Sequence, residues 1–137
     1  MAGYSGTPLM KKLGIKPGDR FFTINAPAEY RSWLGAIPKG VEFVQKPPKT
    51  GAELVHLFVV ALAELETQMP RARAAMTQDG ALWVSWFKRS AEIRTDVTED
   101  EIRARALKAD LVDVKVCAVT DIWSGLKLVI RKELRQK

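Results

Sequence analysis

The sequence predicts a three-layer α/β domain with a mostly parallel six-stranded sheet, helices on both faces and a C-terminal antiparallel hairpin at one edge. Three observations carry this. Strand-like and helix-like patterns alternate along most of the chain, which calls for right-handed crossovers and parallel strands. Leu54–Val60 and Ala81–Phe87 are apolar at successive positions, as strands covered on both sides are. The last two strand patterns are joined by a short turn without a helix, which makes them an antiparallel pair.

Residues 1–18 read as an N-terminal arm and a short helix. Thr7 is a good N-cap, Pro8 suits the first helical position, and Gly14 suits a left-handed stop. Pro17-Gly18 then turns the chain. Arg20–Asn25 is the first strand, broken by Asn25-Ala26-Pro27. Pro27 starts a helix whose Tyr30, Trp33, Leu34 and Ile37 fall at i, i+3, i+4 and i+7, and Pro38-Lys39-Gly40 ends it. Val41–Gln45 is a second, short strand, followed by a surface loop at Lys46–Gly51.

Leu54–Val60 is the third strand, with His56 alone interrupting its apolar run. Leu62, Leu65, Met69, Ala72 and Met76 step at helical spacing; Pro70 should kink or split that helix, and Asp79-Gly80 should end it. Ala81–Phe87 is the fourth strand and Lys88–Asp96 a polar loop. Thr98 and Glu101 form a capping box, and Val97 can staple to Ile102, so a helix runs from there to about Ala109. In Leu111–Val119 the residues Val112, Val114, Val116 and Ala118 share one face and Asp113 and Lys115 the other, which describes an edge strand. Thr120–Gly125 turns the chain back into Leu126–Arg131.

At 137 residues the chain is one domain by size. A composition that is 47% hydrophobic excludes a disordered tail. One cysteine excludes an internal disulfide and, with no export signal, points to the cytoplasm. The longest apolar run, Leu57–Ala63, is far short of the roughly 18 residues a membrane helix needs. The net charge is +6 and unevenly placed: 8 basic and 3 acidic residues in 1–50, 5 and 8 in 51–100, 9 and 5 in 101–137. Such a surface attracts anions, nucleic acid included. The basic tail from Arg131 holds no aromatic residue, and Glu99, Asp100 and Glu101 precede the basic residues of the last helix, which argues against nucleic acid.

Two resemblances follow from particular segments. The element order, and the text DGALWVSWFKRS at Asp79–Ser90, are similar to the C-terminal half of an S-adenosylmethionine-dependent methyltransferase sheet. Over nearly the full length, GTPLMKKLGIKPGDR (6–20), VHLFVV (55–60), GALWVSWFK (80–88) and LVDVKVCAVTDIWSGLKLVIRK (111–132) resemble a small bacterial family labelled domain of unknown function thirty fifty-two. That resemblance implies one Rossmann-like domain over 1–137. It brings no activity, cofactor or catalytic residue with it.

A methyl-donor or dinucleotide site needs glycine after the first strand and an acid near the end of the second. Asn25-Ala26-Pro27-Ala28 has no glycine, and the second strand ends Val44-Gln45-Lys46. The expectation is therefore no cofactor, with S-adenosylmethionine the one to test. In open α/β sheets ligands sit beyond the carboxyl ends of the strands, where strand order reverses. With the order 2-1-3-4-6-5, the rim residues are Asn25, Ala26, Pro27, Lys88 and Arg89, joined by Trp123 and Ser124 from the hairpin turn. These are the candidate binding residues, and their charge suits a small anion.

No residue stands out as catalytic. His56 lies in mid-strand and reads as a neutral core imidazole. Cys117 lies three strand spacings from it, roughly 14 Å, too far for a dyad. One histidine, one cysteine and scattered carboxylates give no metal-ligand spacing. The sequence thus favours a non-catalytic module that binds a small anion or a protein partner. The alternatives are a degenerate methyltransferase-like enzyme and a basic nucleic-acid accessory protein.

Overall fold

The computed structural model describes residues 8–136, so Thr7 and the leader around Gly3 and Gly6 lie outside it. The elements are α1 (Leu9–Leu13), β1 (Arg20–Ile24), α2 (Tyr30–Leu34), β2 (Glu42–Val44), β3 (Ala52–Phe58), α3 (Leu62–Ala75), β4 (Met76–Phe87), α4 (Glu99–Lys108), β5 (Leu111–Ala118) and β6 (Trp123–Ile130). The sheet has six strands in the order β2-β1-β3-β4-β6-β5. The pairs β1–β2, β1–β3 and β3–β4 are parallel, and β6 runs antiparallel to both β4 and β5. This is the expected architecture, with the order reversing between β1 and β3.

Two apolar layers flank the sheet. On one side α3 and α4 bury Leu65, Met69, Ala72, Ile102 and Ala106 against Val55, Leu57, Leu82, Val84 and Leu126. On the other, α1 and α2 bury Leu9, Leu13, Tyr30 and Leu34 against Phe21, Leu54, Phe58 and Trp83. The period of two along β4 sends Trp83 to the second layer and Trp86 to the first, as alternation requires. The Trp83 indole N–H donates to the Leu13 carbonyl at 3.0 Å, which fastens α1 onto the sheet.

Several elements differ from expectation, each for a local reason. Pro8 is the N-cap of α1 rather than its first helical residue, while Gly14 adopts the left-handed stop at φ 80°. α2 starts at Tyr30 rather than at Pro27 and ends at Leu34, before Ile37, which is left 41% exposed. α3 is not split at Pro70, whose ring lies on the solvent side. Asp79-Gly80 is not a helix stop, because β4 already begins at Met76. There the ladder slips: Ala52 pairs with Met76 and Leu54 with Ala81, so β4 spends five residues where β3 spends two.

The edge strand carries a second irregularity, between Asp113 and Lys115. The extra residue reverses the alternation, and Val114 and Val116 are 52% and 51% exposed instead of sharing a covered face. The chain reverses earlier than expected after β5, so Trp123, Ser124 and Gly125 belong to β6 and not to the turn. At α4, Thr98 Oγ1 accepts from the Glu101 N–H at 3.2 Å, whereas the Glu101 carboxylate turns to Arg105 instead of completing the box.

The β4 slip depends on Gly80. A Cβ there would lie 2.8 Å from the Glu53 carbonyl oxygen and 2.6 Å from Thr77 Oγ1. Gly80→Ala is expected to cost about 1–3 kcal/mol in urea unfolding. An unchanged unfolding midpoint would remove the slip from the account.

Candidate functional site

The reversal of strand order places the ends of β1 and β3 side by side, and their loops diverge there. Asn25 follows β1 with a left-handed backbone, φ 60°, and its amide donates to the Glu64 carboxylate at 3.3 Å. The other oxygen of Glu64 accepts the Val60 N–H at 2.7 Å. One residue beyond the Ala61 N-cap, the Leu62 N–H donates to Asp96 at 2.9 Å. Thr95 Oγ1 donates to the Val60 carbonyl at 2.7 Å and holds the incoming loop in place. Free backbone N–H groups at a helix N-terminus make a ready anion site. Here the Val60 and Leu62 N–H groups already have carboxylate partners from the chain itself.

The seven residues singled out from the sequence fall into separate places. Ala26 and Pro27 line a cavity of about 200 Å³ between β1, β2 and α2, with Thr23, Tyr30, Arg31 and Gln45. The Arg31 guanidinium lies 3.7 Å from the centre of the Phe43 ring and closes over one wall. Asn25 is engaged with Glu64. Lys88, Arg89 and Ser124 line a different and roomier cavity of about 930 Å³ beyond the carboxyl end of β4, together with Ser90, Thr95 and the first turn of α4. Trp123 is 8% exposed, with its ring 4.3 Å from Phe87 and 5.0 Å from Phe58. Burial pulls the Lys88 ammonium below its ordinary pKa, with Asp121 opposing and Lys12 adding to the shift.

The sequence pointed to His56 only as a core residue, and the structure shows what satisfies it. It is wholly buried; its Nδ1 lies 2.6 Å from the Tyr30 hydroxyl and its Nε2 2.7 Å from Ser85 Oγ. Both ring nitrogens are thus bonded. The Phe58 ring stacks 4.3 Å away. Burial drives the imidazole pKa down to about 3 and the Tyr30 hydroxyl well above its usual range, so both groups are neutral. A serine beside a histidine has the makings of a nucleophile pair. Ser85 is itself wholly buried and sealed beneath Tyr30 and Phe58, so no substrate reaches it. The set joins α2, β3 and β4 through polar contacts in an apolar layer. Neither Tyr30 nor Ser85 was legible beforehand, because neither is near His56 in sequence.

Cys117 is half-buried on β5, and burial raises its thiol pKa while Lys12, Lys115 and Lys88 pull it down. Among the described residues no group of histidine, cysteine and carboxylate side chains gathers to hold a metal. Nor is any described helix long and apolar enough to cross a membrane.

The geometry has relatives among solved structures. A S-adenosylmethionine-dependent methyltransferase from Aquifex aeolicus superposes with a TM-score of 0.60 at 12% identity, over 90% of this chain and 88% of that one. A chain of the complex between the Haloferax volcanii Trm112 methyltransferase activator and a candidate methyltransferase gives 0.63 at 8% identity, over 90% and 87%. The ribosomal protein L11 methylase of Lactobacillus delbrueckii subsp. bulgaricus gives 0.52 at 11%, over 90% and 75%. The fold is methyltransferase-like. Identities this low establish the scaffold and no activity. No protein-family model and no curated protein matches the chain, so the likeness to the bacterial family of unknown function rests on the quoted segments alone.

On this methyltransferase-like scaffold the buried imidazole sets a pH dependence. Its folded pKa of about 3 lies below the ordinary 6.5, so the unfolded chain binds the proton more tightly. The stability it contributes is complete above 6.5 and falls as pH drops toward 3, by up to about 1.4 kcal/mol per pH unit. NMR should find the His56 ring neutral at pH 5 in the folded protein; a charged ring there would show that it is not sealed.

Proposed function

We propose that the chain is a non-catalytic binding module on a methyltransferase-like scaffold, taking a small anionic ligand at the carboxyl end of β4, beside the start of β6. The observation that carries this reading is where room and charge coincide. The cavity of about 930 Å³ is within the range of small-molecule sites, roughly 300–1,000 Å³, and it has Lys88 and Arg89 on its wall. The cavity next to the β1 turn, about 200 Å³, falls below that range. Backbone N–H groups at the reversal point are engaged by Glu64 and Asp96, which disfavours an anion there.

The lining also sets the ligand's orientation. Its anionic group faces Lys88 and Arg89, with Ser90 and Ser124 as hydroxyl partners. Glu99 and Asp100 also line the cavity, with Arg103 as their ion-pair partner. The enzymatic alternative, a degenerate methyltransferase, has the fold in its favour.

A thermal-shift screen of phosphate, pyrophosphate and small carboxylates tests the reading. At least one anion should raise the unfolding midpoint of the wild type in a saturable way. Lys88→Ala with Arg89→Ala should abolish that rise while leaving the ligand-free midpoint within a few degrees. A rise that survives both substitutions places the anion elsewhere.

A further inference from the structure

Lysines from separate elements converge on the α1 side of the β5–β6 hairpin. Lys12 of α1 donates to the Ala118 carbonyl at the end of β5, at 3.1 Å. Lys115 of β5 and Lys127 of β6 are paired in register, and Lys115 Nζ lies 5.9 Å from the Trp83 ring. Lys127 Nζ also lies about 4.0 Å from where a Cβ on Gly14 would stand, at the end of α1. Lys16 is close enough to lower the Lys127 pKa, as Lys115 is, after the effect of burial. None of these four lysines makes an ion pair with a carboxylate among the described residues. Packing like charges together and half-burying two of them costs stability, and a surface that bears such a cost is a candidate for function.

The stripe follows β5 from Lys115 to Ala118, roughly 10 Å at strand rise. Lys16 and Lys115 are exposed along it, and Lys12 and Lys127 are half-buried. An extended partner therefore fits better than a small molecule. β5 is the last strand of the sheet, and its outer side pairs with no strand. Val114 and Val116 are exposed on that same strand and offer apolar contact. The tryptophans beneath the stripe, Trp83 and Trp123, are buried and cannot stack on bases, which disfavours single-stranded nucleic acid. Asp113, the one carboxylate of β5, is engaged by Arg103, so a second copy of this strand offers Lys115 no free acidic partner, which disfavours self-association.

We infer that the β5 edge with Lys12, Lys16, Lys115 and Lys127 docks an acidic, extended polypeptide segment of a partner protein. The free edge takes its main chain, the lysines its carboxylates, and Val114 and Val116 its apolar residues. This surface is separate from the rim cavity, and Lys88 is left untouched in the test so that the two readings stand or fall independently.

The experiment uses fluorescence anisotropy with a fluorescein-labelled dodecapeptide of alternating Glu and Val. A Lys/Val dodecapeptide and a single-stranded oligonucleotide of equal negative charge serve as comparisons. The acidic peptide should bind the wild type saturably, at least ten times more tightly than either comparison. Lys115→Glu combined with Lys127→Glu should weaken it at least tenfold. Lys127→Met alone should weaken binding two- to fivefold while raising the thermal midpoint, because it removes a half-buried charge from a repulsive cluster. Tighter binding of the oligonucleotide, absence of acidic-peptide binding, or retained affinity in the folded double variant would each overturn the inference.

Discussion

Two backbone N–H groups at the turn from β3 into α3 constrain the rest of the structure. Val60 and Leu62 sit where an open α/β sheet offers its carboxyl rim to a ligand, and they donate instead to Glu64 and Asp96. The first contact fixes the direction in which α3 leaves the sheet. The second brings in the loop before α4, which Thr95 ties to the Val60 carbonyl. From that anchor Val97 and Ile102 enter the core and α4 takes its place beside α3. The carboxylates thus do structural work at the reversal of strand order, where open α/β sheets generally take their ligands.

The opposite layer is organised by a polar set inside an apolar shell. Tyr30, His56 and Ser85 leave no ring nitrogen unpaired, although all three are buried. An imidazole can be held in such a place only when it is neutral and both nitrogens are bonded. The contact to Tyr30 gives the five-residue α2 a specific attachment that so short a helix could not achieve by propensity alone. It also closes the space between β1, β2 and α2, and this is why that cavity is small. The β1 turn is thus flanked by carboxylates engaged with backbone N–H groups in one layer and by packed aromatic rings in the other.

Element order and sheet topology were legible in the sequence because they depend on patterns that survive tertiary packing. Leu54–Phe58 and Ala81–Phe87 are apolar on both faces, and the helix between them has a continuous stripe from Leu62 to Ala72. What was not legible depended on ladder irregularities. Asp79-Gly80 reads as a turn in isolation, but Gly80 allows β4 to lie against the Glu53 carbonyl, so the strand starts at Met76. The slip at Val114 inverts an alternation that reads cleanly as text. The rim residues lie at or just beyond the ends of β1 and β4, and Trp123 and Ser124 open β6. Their division between two cavities was hidden, as was the pairing of Asn25 with Glu64, a helix residue that no spacing rule connects to it.

The most direct test of this account follows the Val60 and Leu62 amide resonances by two-dimensional NMR while S-adenosylmethionine is added at neutral pH. If Glu64 and Asp96 hold these N–H groups, both resonances stay where they are throughout the titration. A saturable displacement of both, with the cofactor seated against Asn25–Ala28, would contradict the account and restore the ligand to the reversal point.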